Sequence, residues 1–274
     1  MFSVDSAVAR RLEIASARRG IEYARAVERL HPDDSVAVLE VGGGFAVYTG
    51  PNYPINRASG QGWEKPVEPS DLESIDRFFW ERDAEPRVSV CPLAHPSWLA
   101  LLASTDYRLD HFFNVLVRPL FTAKVDPVVN PSVRVEVAGR MDRELWLRTV
   151  AQGFDAVEDP RPETLEVLAP NFDSFGAACY LAWVSGEPAG GGELFVHEGV
   201  AELGSASTRP AFRRQGVHRA LVHARLDAAR SAGCDLAMAL TSPGSESQRS
   251  LERAGFCVAY TQVVVARARR TNDE

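Results

Sequence analysis

The 274 residues carry 30 Lys plus Arg against 37 Asp plus Glu, a net charge of −7, and are 45% hydrophobic and 24% charged. That length supports one large domain or two of ordinary size, with a core that needs no metal or disulfide staple. The acidic balance argues against general nucleic-acid binding, no window reaches the 18 apolar residues of a membrane span, and the early charges at the N-terminus are not those of a signal peptide. The four cysteines, Cys91, Cys179, Cys234 and Cys257, show no CxxC spacing, so neither a zinc site nor a redox motif is expected. Scattered buried thiols fit a reduced, cytoplasmic location.

In chain order, Val8, Leu12, Ala15, Arg19 and Tyr23 outline a helix that ends at "LHPDD". "SVAVLEV" and "GFAVYTG" read as strands joined by a turn at Gly42 to Gly44. A helix near 70–83 follows, then a strand at "RVSVC", a short helix in "PSWLALLASTDY" and a strand at "FFNVLVRPL". "TAKVDPVVNPS", Thr122 to Ser132, has two prolines and an Asn and is read as a linker, which divides the chain into domains at 1–124 and 132–274.

The second half opens with a strand, "VRVEV", and helix from Asp142 to Gly153, followed by a polar, proline-containing stretch. "AACYLAWVSG" and "EPAGGGELFVHEG" read as a hairpin and "VAELGSAST" as the next strand. Then come an amphipathic helix, "VHRALVHARLDAARSAG", a strand in "CDLAMALTS", a helix in "SESQRSLERAG" and a strand in "FCVAYTQVVVARA". Residues 101–118 can be laid on 250–267 at a constant offset of 149, with Leu102 on Leu251, Tyr107 on Phe256, Val115 on Val264 and Arg118 on Arg267. The shared order of elements marks an internal duplication.

The amphipathic helix begins unusually. Arg213, Arg214, His218 and Arg219 crowd its first turn, where the dipole disfavours cations, and no acidic side chain occurs between Glu202 and Asp227. A helix N-terminus offers unpaired N–H groups to an anion; arginines strengthen the offer, and Gly216 lets the backbone approach the guest. There is no G-x-x-x-x-G-K-[ST] and no G-x-G-x-x-G after a strand, so the common nucleotide loops are not the explanation. The first copy has "GQGWEKPVEPS" in the equivalent place, with two prolines and no basic turn.

"RRQGVH", preceded by "SASTRPAF", resembles the acetyl-CoA signature [QR]-x-x-G-x-[GA] of the GNAT acetyltransferases. Arg213 takes the [QR] position and Gly216 that of the first glycine; His218 departs from the pattern. "LERAGF" resembles the family's Y-E-R-x-G-F ending, with Leu251 in place of the tyrosine. The resemblance spans 132–267 in element order and its motifs 200–219 and 251–256. It implies an α/β (α+β) fold of two tandem GNAT-like domains, each a mixed twisted sheet flanked by helices, the first without the acetyl-CoA motif and expected to cover the second. It further implies that "VAELGSAST" and "CDLAMALTS" splay apart to admit pantetheine, that the backbone of Ala206, Ser207 and Thr208 binds the pantetheine amides, and that Arg213, Arg214, Gln215, Gly216, Val217, His218 and Arg219 hold the pyrophosphate.

Acyl transfer to an amine needs a base, an oxyanion donor and accommodation of the thiolate. Some members carry a catalytic Glu 14 residues before the motif glycine, which here is Glu202, with apolar neighbours Val200, Ala201 and Leu203 that would raise its pKa. The oxyanion donor would be an N–H near Ala206. The usual acid, a tyrosine, is replaced by Leu251; Tyr260 and His218 are candidate substitutes, each read first as structural, while His197 and His223 read as surface residues. The expectation is therefore an acetyl-CoA-dependent N-acetyltransferase acting on a primary amine of a small molecule or peptide, without a metal, nucleic acid or membrane partner and with a homodimer as an open assembly. A non-catalytic acyl-CoA sensor or scaffold is the alternative.

Overall fold

The computed structural model describes residues 3–51, 53–121 and 130–268. Over most of its length, at 122–129, the linker read at Thr122 to Ser132 lies outside the described residues. The chain forms two compact units. The first comprises Met1–Val115, Thr241–Pro243 and Val258–Glu274, and the second Leu116–Leu240 and Gly244–Cys257.

The first unit opens with α1 (Ser6–Leu30), started by Asp5, whose Oδ1 accepts a 2.9 Å hydrogen bond from the Val8 N–H. Strands β1 (Ala37–Val41) and β2 (Gly44–Tyr48) form a hairpin whose two-residue loop, Gly42 and Gly43, has φ of 60° and 79°. Two positive φ values in succession are what a tight hairpin turn requires. After β3 (Arg57–Ser59) come α2 (Pro69–Trp80), β4 (Arg87–Val90), α3 (Ser97–Ala103) and β5 (Arg108–Pro119). β1, β2 and β3 pair antiparallel, and β3 joins β4 in parallel at Ala58 opposite Val88. Leu72, Ile75, Phe78 and Phe79 of α2 pack on Val88, Val90 and Trp98 to make this unit's core.

The second unit contains β6 (Val133–Val137), α4 (Arg143–Asp155), α5 (Pro162–Asp173), β7 (Ala177–Val184), β8 (Glu187–His197), β9 (Val200–Thr208), α6 (Val217–Ser231), β10 (Leu236–Thr241) and α7 (Glu246–Arg253). Its sheet runs in the order β10-β9-β8-β7-β6, antiparallel except for the β9–β10 pair. β7 and β8 are a hairpin turned at Ser185 and Gly186, with φ of 52° and 84°. Trp146, Leu147 and Val150 of α4 pack with Leu168 of α5 on Cys179 and Leu181. The α6 residues Val217, Leu221 and Leu226 join a different cluster with Leu194, Leu203 and Leu251, so the two helix sets cover opposite faces of the sheet.

The duplication extends well beyond the segment first matched. Shifted by 149 residues, α2 falls on α6, β4 on β10, α3 on α7 and β5 on β11 (Cys257–Ala266). Both copies also repeat two antiparallel pairings followed by a parallel one. The last strand of each copy completes the other unit. From Leu116 onward β5 belongs to the second unit, where Leu116 and Leu120 enter the core and the Leu120 N–H bonds Asp235 O at 2.9 Å. From Val258 onward the chain belongs to the first unit, where β11 pairs antiparallel with β4 from Val263 opposite Val90 to Ala266 opposite Arg87. The limits 1–124 and 132–274 read from the linker do not contain this return.

Two elements were not read from the sequence. The proline-containing stretch after α4 holds a helix, α5, because Pro162 occupies the first helical position, where its missing N–H costs nothing. β3 is only three residues long, too short for its alternation to register. Of the cysteines, three are buried but Cys257 is exposed.

Candidate active site

The site lies in the second unit, where β9 and β10 part. Their parallel register runs from Val200 opposite Leu236 only to Glu202 opposite Met238. β9 continues to Thr208, still held by β8 on its other side. On the side towards β10, no strand among the described residues pairs with the β9 backbone beyond Glu202.

A bulge sharpens the divergence. Gly191 stands opposite Ser207 and Glu193 opposite Gly204, so one residue of β8 faces two of β9, Ser205 and Ala206. Ser205 takes φ of 45°, a rare value for a residue with a side chain. Bulges re-aim the strand at this kind of position. The glycine run of β8 lets both helix layers close on it. A Cβ at Gly190 would lie 2.5 Å from Ser207 O, one at Gly191 2.7 Å from Val150 Cγ2 of α4, and one at Gly192 2.9 Å from the Arg225 guanidinium of α6. Three glycines in a strand are the trace of close approach, and this signal was available in "AGGGEL".

The fork opens into a cavity of about 170 Å³. Leu203 to Ala206 of β9 and Ala239 and Leu240 of β10 form its walls. Phe154, at the end of α4, closes one side, and His218, Arg225 and Leu251 close the other. Leu251, in the position of the resemblance's tyrosine, thus does reach the fork, but brings no proton.

Glu202 is 4% exposed and occupies the last paired position before the strands part. Ala201 and Leu203 belong to the α6-side cluster, so strand alternation turns Glu202 to the α4 face. Ala206 lines the cavity, whereas the Ser207 hydroxyl donates to Val150 O at 2.7 Å and ties β9 to α4. Thr208 ends the strand opposite Gly190.

Beyond it, Arg213 to Gly216 form a tight turn into α6. Arg214 (φ 62°) and Gly216 (φ 87°) are left-handed, and Gly216 is the N-cap. Without a side-chain cap or an acidic residue in the first turn, the N–H groups of Val217 and His218 keep their donor capacity. Asn130 steadies the turn by donating to Gln215 O at 2.9 Å. The seven residues of this segment do not act alike. Arg214 is exposed, with neither a hydrogen bond nor an ion pair among the described residues, and Arg219 is exposed beside it. Arg213 folds back, its Nη2 donating to Gly153 O at 3.2 Å and its Nε towards Thr208 O at 3.4 Å. The Gln215 side chain donates to Ala211 O, and Val217 is buried against Gly190.

His218 requires a correction. Its ring faces the cavity, and burial, followed by Arg225 and Arg253, pushes its pKa down to about 4. It is neutral at pH 7 and adds no charge to the basic turn. Tyr260, the other substitute acid, belongs to the first unit, where it donates to Glu13 Oε1 at 2.8 Å; burial and then Glu13 drive its pKa far upwards. His223 is buried on α6 rather than at the surface. Sequence reasoning missed Arg225, which is 1% exposed. Among the described residues, no three His, Cys, Asp or Glu side chains are grouped to hold a metal ion, and no helix is long and apolar enough to cross a membrane.

Residues 144–256 match the model of the acetyltransferase (GNAT) family. Among solved structures, a GCN5-related N-acetyltransferase from Kribbella flavida is similar with a TM-score of 0.65 at 19% identity, over 93% of this chain and 96% of that one. A tandem GNAT protein from the clavulanic acid biosynthesis pathway gives a TM-score of 0.59 at 14% identity, over 92% and 89%. A GCN5-related N-acetyltransferase from Sphaerobacter thermophilus gives 0.56 at 15%, over 85% and 75%. At these identities the likeness is one of fold. No curated protein matches the chain.

Proposed function

We propose that this chain, an acyltransferase of the GNAT family through its residues 144–256, moves an acetyl group from acetyl-CoA to a primary amine of a small molecule or peptide. The observation that carries the reading is the coincidence, in one unit, of the parted β9–β10 fork with an uncapped, glycine-entered helix start. The β9 backbone at Ala206, Ser207 and Thr208, held by β8 but not paired with β10, suits the amides of an extended pantetheine. The turn from Arg213 to Arg219 suits a pyrophosphate, bound by the first-turn N–H groups and by Arg214 at the exposed rim. Arg213 contributes first by holding the turn against Gly153 and Thr208.

Glu202 takes a proton from the incoming ammonium, freeing the lone pair that attacks the thioester carbon. An N–H at the bulge near Ala206 donates to the oxygen on which charge develops. The carbon–sulfur bond then breaks, and the thiolate leaves past Leu251, which supplies no proton; the second proton of the attacking nitrogen passes to the thiolate through solvent at the fork.

Among the described residues, the first unit carries no second copy of this site. Its equivalent helix, α2, begins with Glu68 and Pro69, and the Glu68 N–H is already bonded to Asp71 Oδ2 at 2.9 Å. Two carboxylates at that helix end repel the group that α6 would attract. Calorimetry should therefore give one CoA per chain, and a panel of amine acceptors scored by thiol release should identify the second substrate. A protein unmoved by millimolar CoA would overturn the proposal.

A further inference from the structure

Arg225, on the third turn of α6, is a buried cation at the wall of the cavity. Its Nε donates to Leu221 O at 3.0 Å, and its Nη1 donates to Glu193 O at 2.9 Å and Gly204 O at 3.1 Å. Those bonds engage Nε and Nη1 of the guanidinium. Among the described residues, no acceptor lies within hydrogen-bonding distance of Nη2. Room for the group exists only because position 192 is glycine, whose added Cβ would stand 2.9 Å from Cζ and Nη1. The charge persists at neutral pH: burial lowers the Arg225 pKa only to about 10.

A pocket for a methyl group alone has no use for such a residue. Leu203, Ala206, Ala239, Leu240 and Leu251 give it apolar walls beside Ser205, Ser247 and the neutral His218, and a buried guanidinium costs several kcal/mol unless its donors find acceptors. About 170 Å³ also exceeds what an acetyl needs, since roughly 150 Å³ holds a benzene ring. We infer that the cavity accepts, besides acetyl, an acyl group ending in a carboxylate, a malonyl or succinyl group carried on CoA, which Arg225 Nη2 binds at its far end. The inference rests on the reading of the fork as the thioester's seat. The transfer is the same displacement: the amine nitrogen bonds the acyl carbon, the carbon–sulfur bond breaks, and CoA leaves as thiolate. The amine proton passes to Glu202, and the terminal carboxylate is unchanged throughout.

The test is calorimetric titration of the full chain with acetyl-, butyryl- and succinyl-CoA. Butyryl and succinyl have equal carbon counts and differ at the end that would meet Arg225. Succinyl-CoA should bind about tenfold tighter or more, the range for a buried charge-assisted bond. R225Q should bring the ratio near one, and R225K should keep part of it. Butyryl-CoA binding as tightly as succinyl-CoA to the wild type would overturn the inference, whether or not R225Q folds. So would displacement of succinyl-CoA by free succinate at equal concentration, which would assign the guanidinium to a detached carboxylate. Failure of every thioester, acetyl-CoA included, would instead remove the reading of the fork itself.

Discussion

Replacing Gly216 with Asn separates the cost to the fold from the cost to binding. Gly216 has φ 87° and ψ 5°, and a Cβ there would meet only the Asn130 Cβ, at an ordinary 3.4 Å. The penalty to the free protein is therefore backbone strain alone. For a general residue it is about 1–2 kcal/mol, and a β-branched one lies above that range. Asn visits the left-handed region far more readily, so Gly216→Asn should lose less than about 1 kcal/mol by urea unfolding, and Gly216→Val about 2–3 kcal/mol. Both side chains nonetheless stand at the mouth of the first-turn N–H groups. CoA affinity, by calorimetry, should fall at least about tenfold in both, equivalent to about 1.4 kcal/mol. Wild-type affinity in the Asn variant would refute the assignment of the anion to these amides, because the fold would be intact and the approach blocked.

Three other outcomes are expected. Glu202→Gln, which keeps shape but cannot take a proton, should lower kcat by about a hundredfold or more at pH 7 with CoA affinity nearly unchanged; near-normal turnover would move the base elsewhere. His218 titrates at about 4 in the folded chain and near 6.5 when unfolded, so the unfolded state binds more protons between those values. Stability should fall as pH drops from about 6.5 towards 4, by on the order of 1–3 kcal/mol, and His218→Gln should flatten that slope in urea midpoints at pH 7 and 5; an unaltered slope would exclude His218 as its source. Gly191→Ala would press a Cβ to 2.7 Å from Val150 Cγ2 and 3.0 Å from Tyr180 O, and should cost about 1–3 kcal/mol; an unchanged midpoint would mean that α4 yields freely.

The sequence was most legible where one period ruled a segment. "VRVEV" and "VAELGSAST" are β6 and β9 residue for residue, and the Gly216 entry to α6 was visible from spacing alone. It was least legible where a residue's setting comes from a distant segment. Arg225 sits on a helix whose spacing gives no reason to bury it; only the packing of β8 and the gap at Gly192 does so. His218 likewise reads as one more cation until the fork and Arg225 surround it. The register of the fork itself depends on where β9 and β10 stop pairing, which no local pattern records.

The crossed ownership of the last strands bears on how this chain is made. β4 is complete at Val90, yet the strand that covers its edge starts pairing only at Val263. At about 5–20 residues per second, the ribosome takes on the order of ten to thirty seconds to deliver it. Throughout that time the first unit presents a bare row of backbone donors and acceptors, the kind of edge that captures other chains. The first unit can therefore not be finished until the segment from Val258 has been made, whereas the part of β5 that enters the second unit is made early. The same arrangement is what results when two identical subunits trade their terminal strands and their genes later fuse, with the trade retained inside one polypeptide.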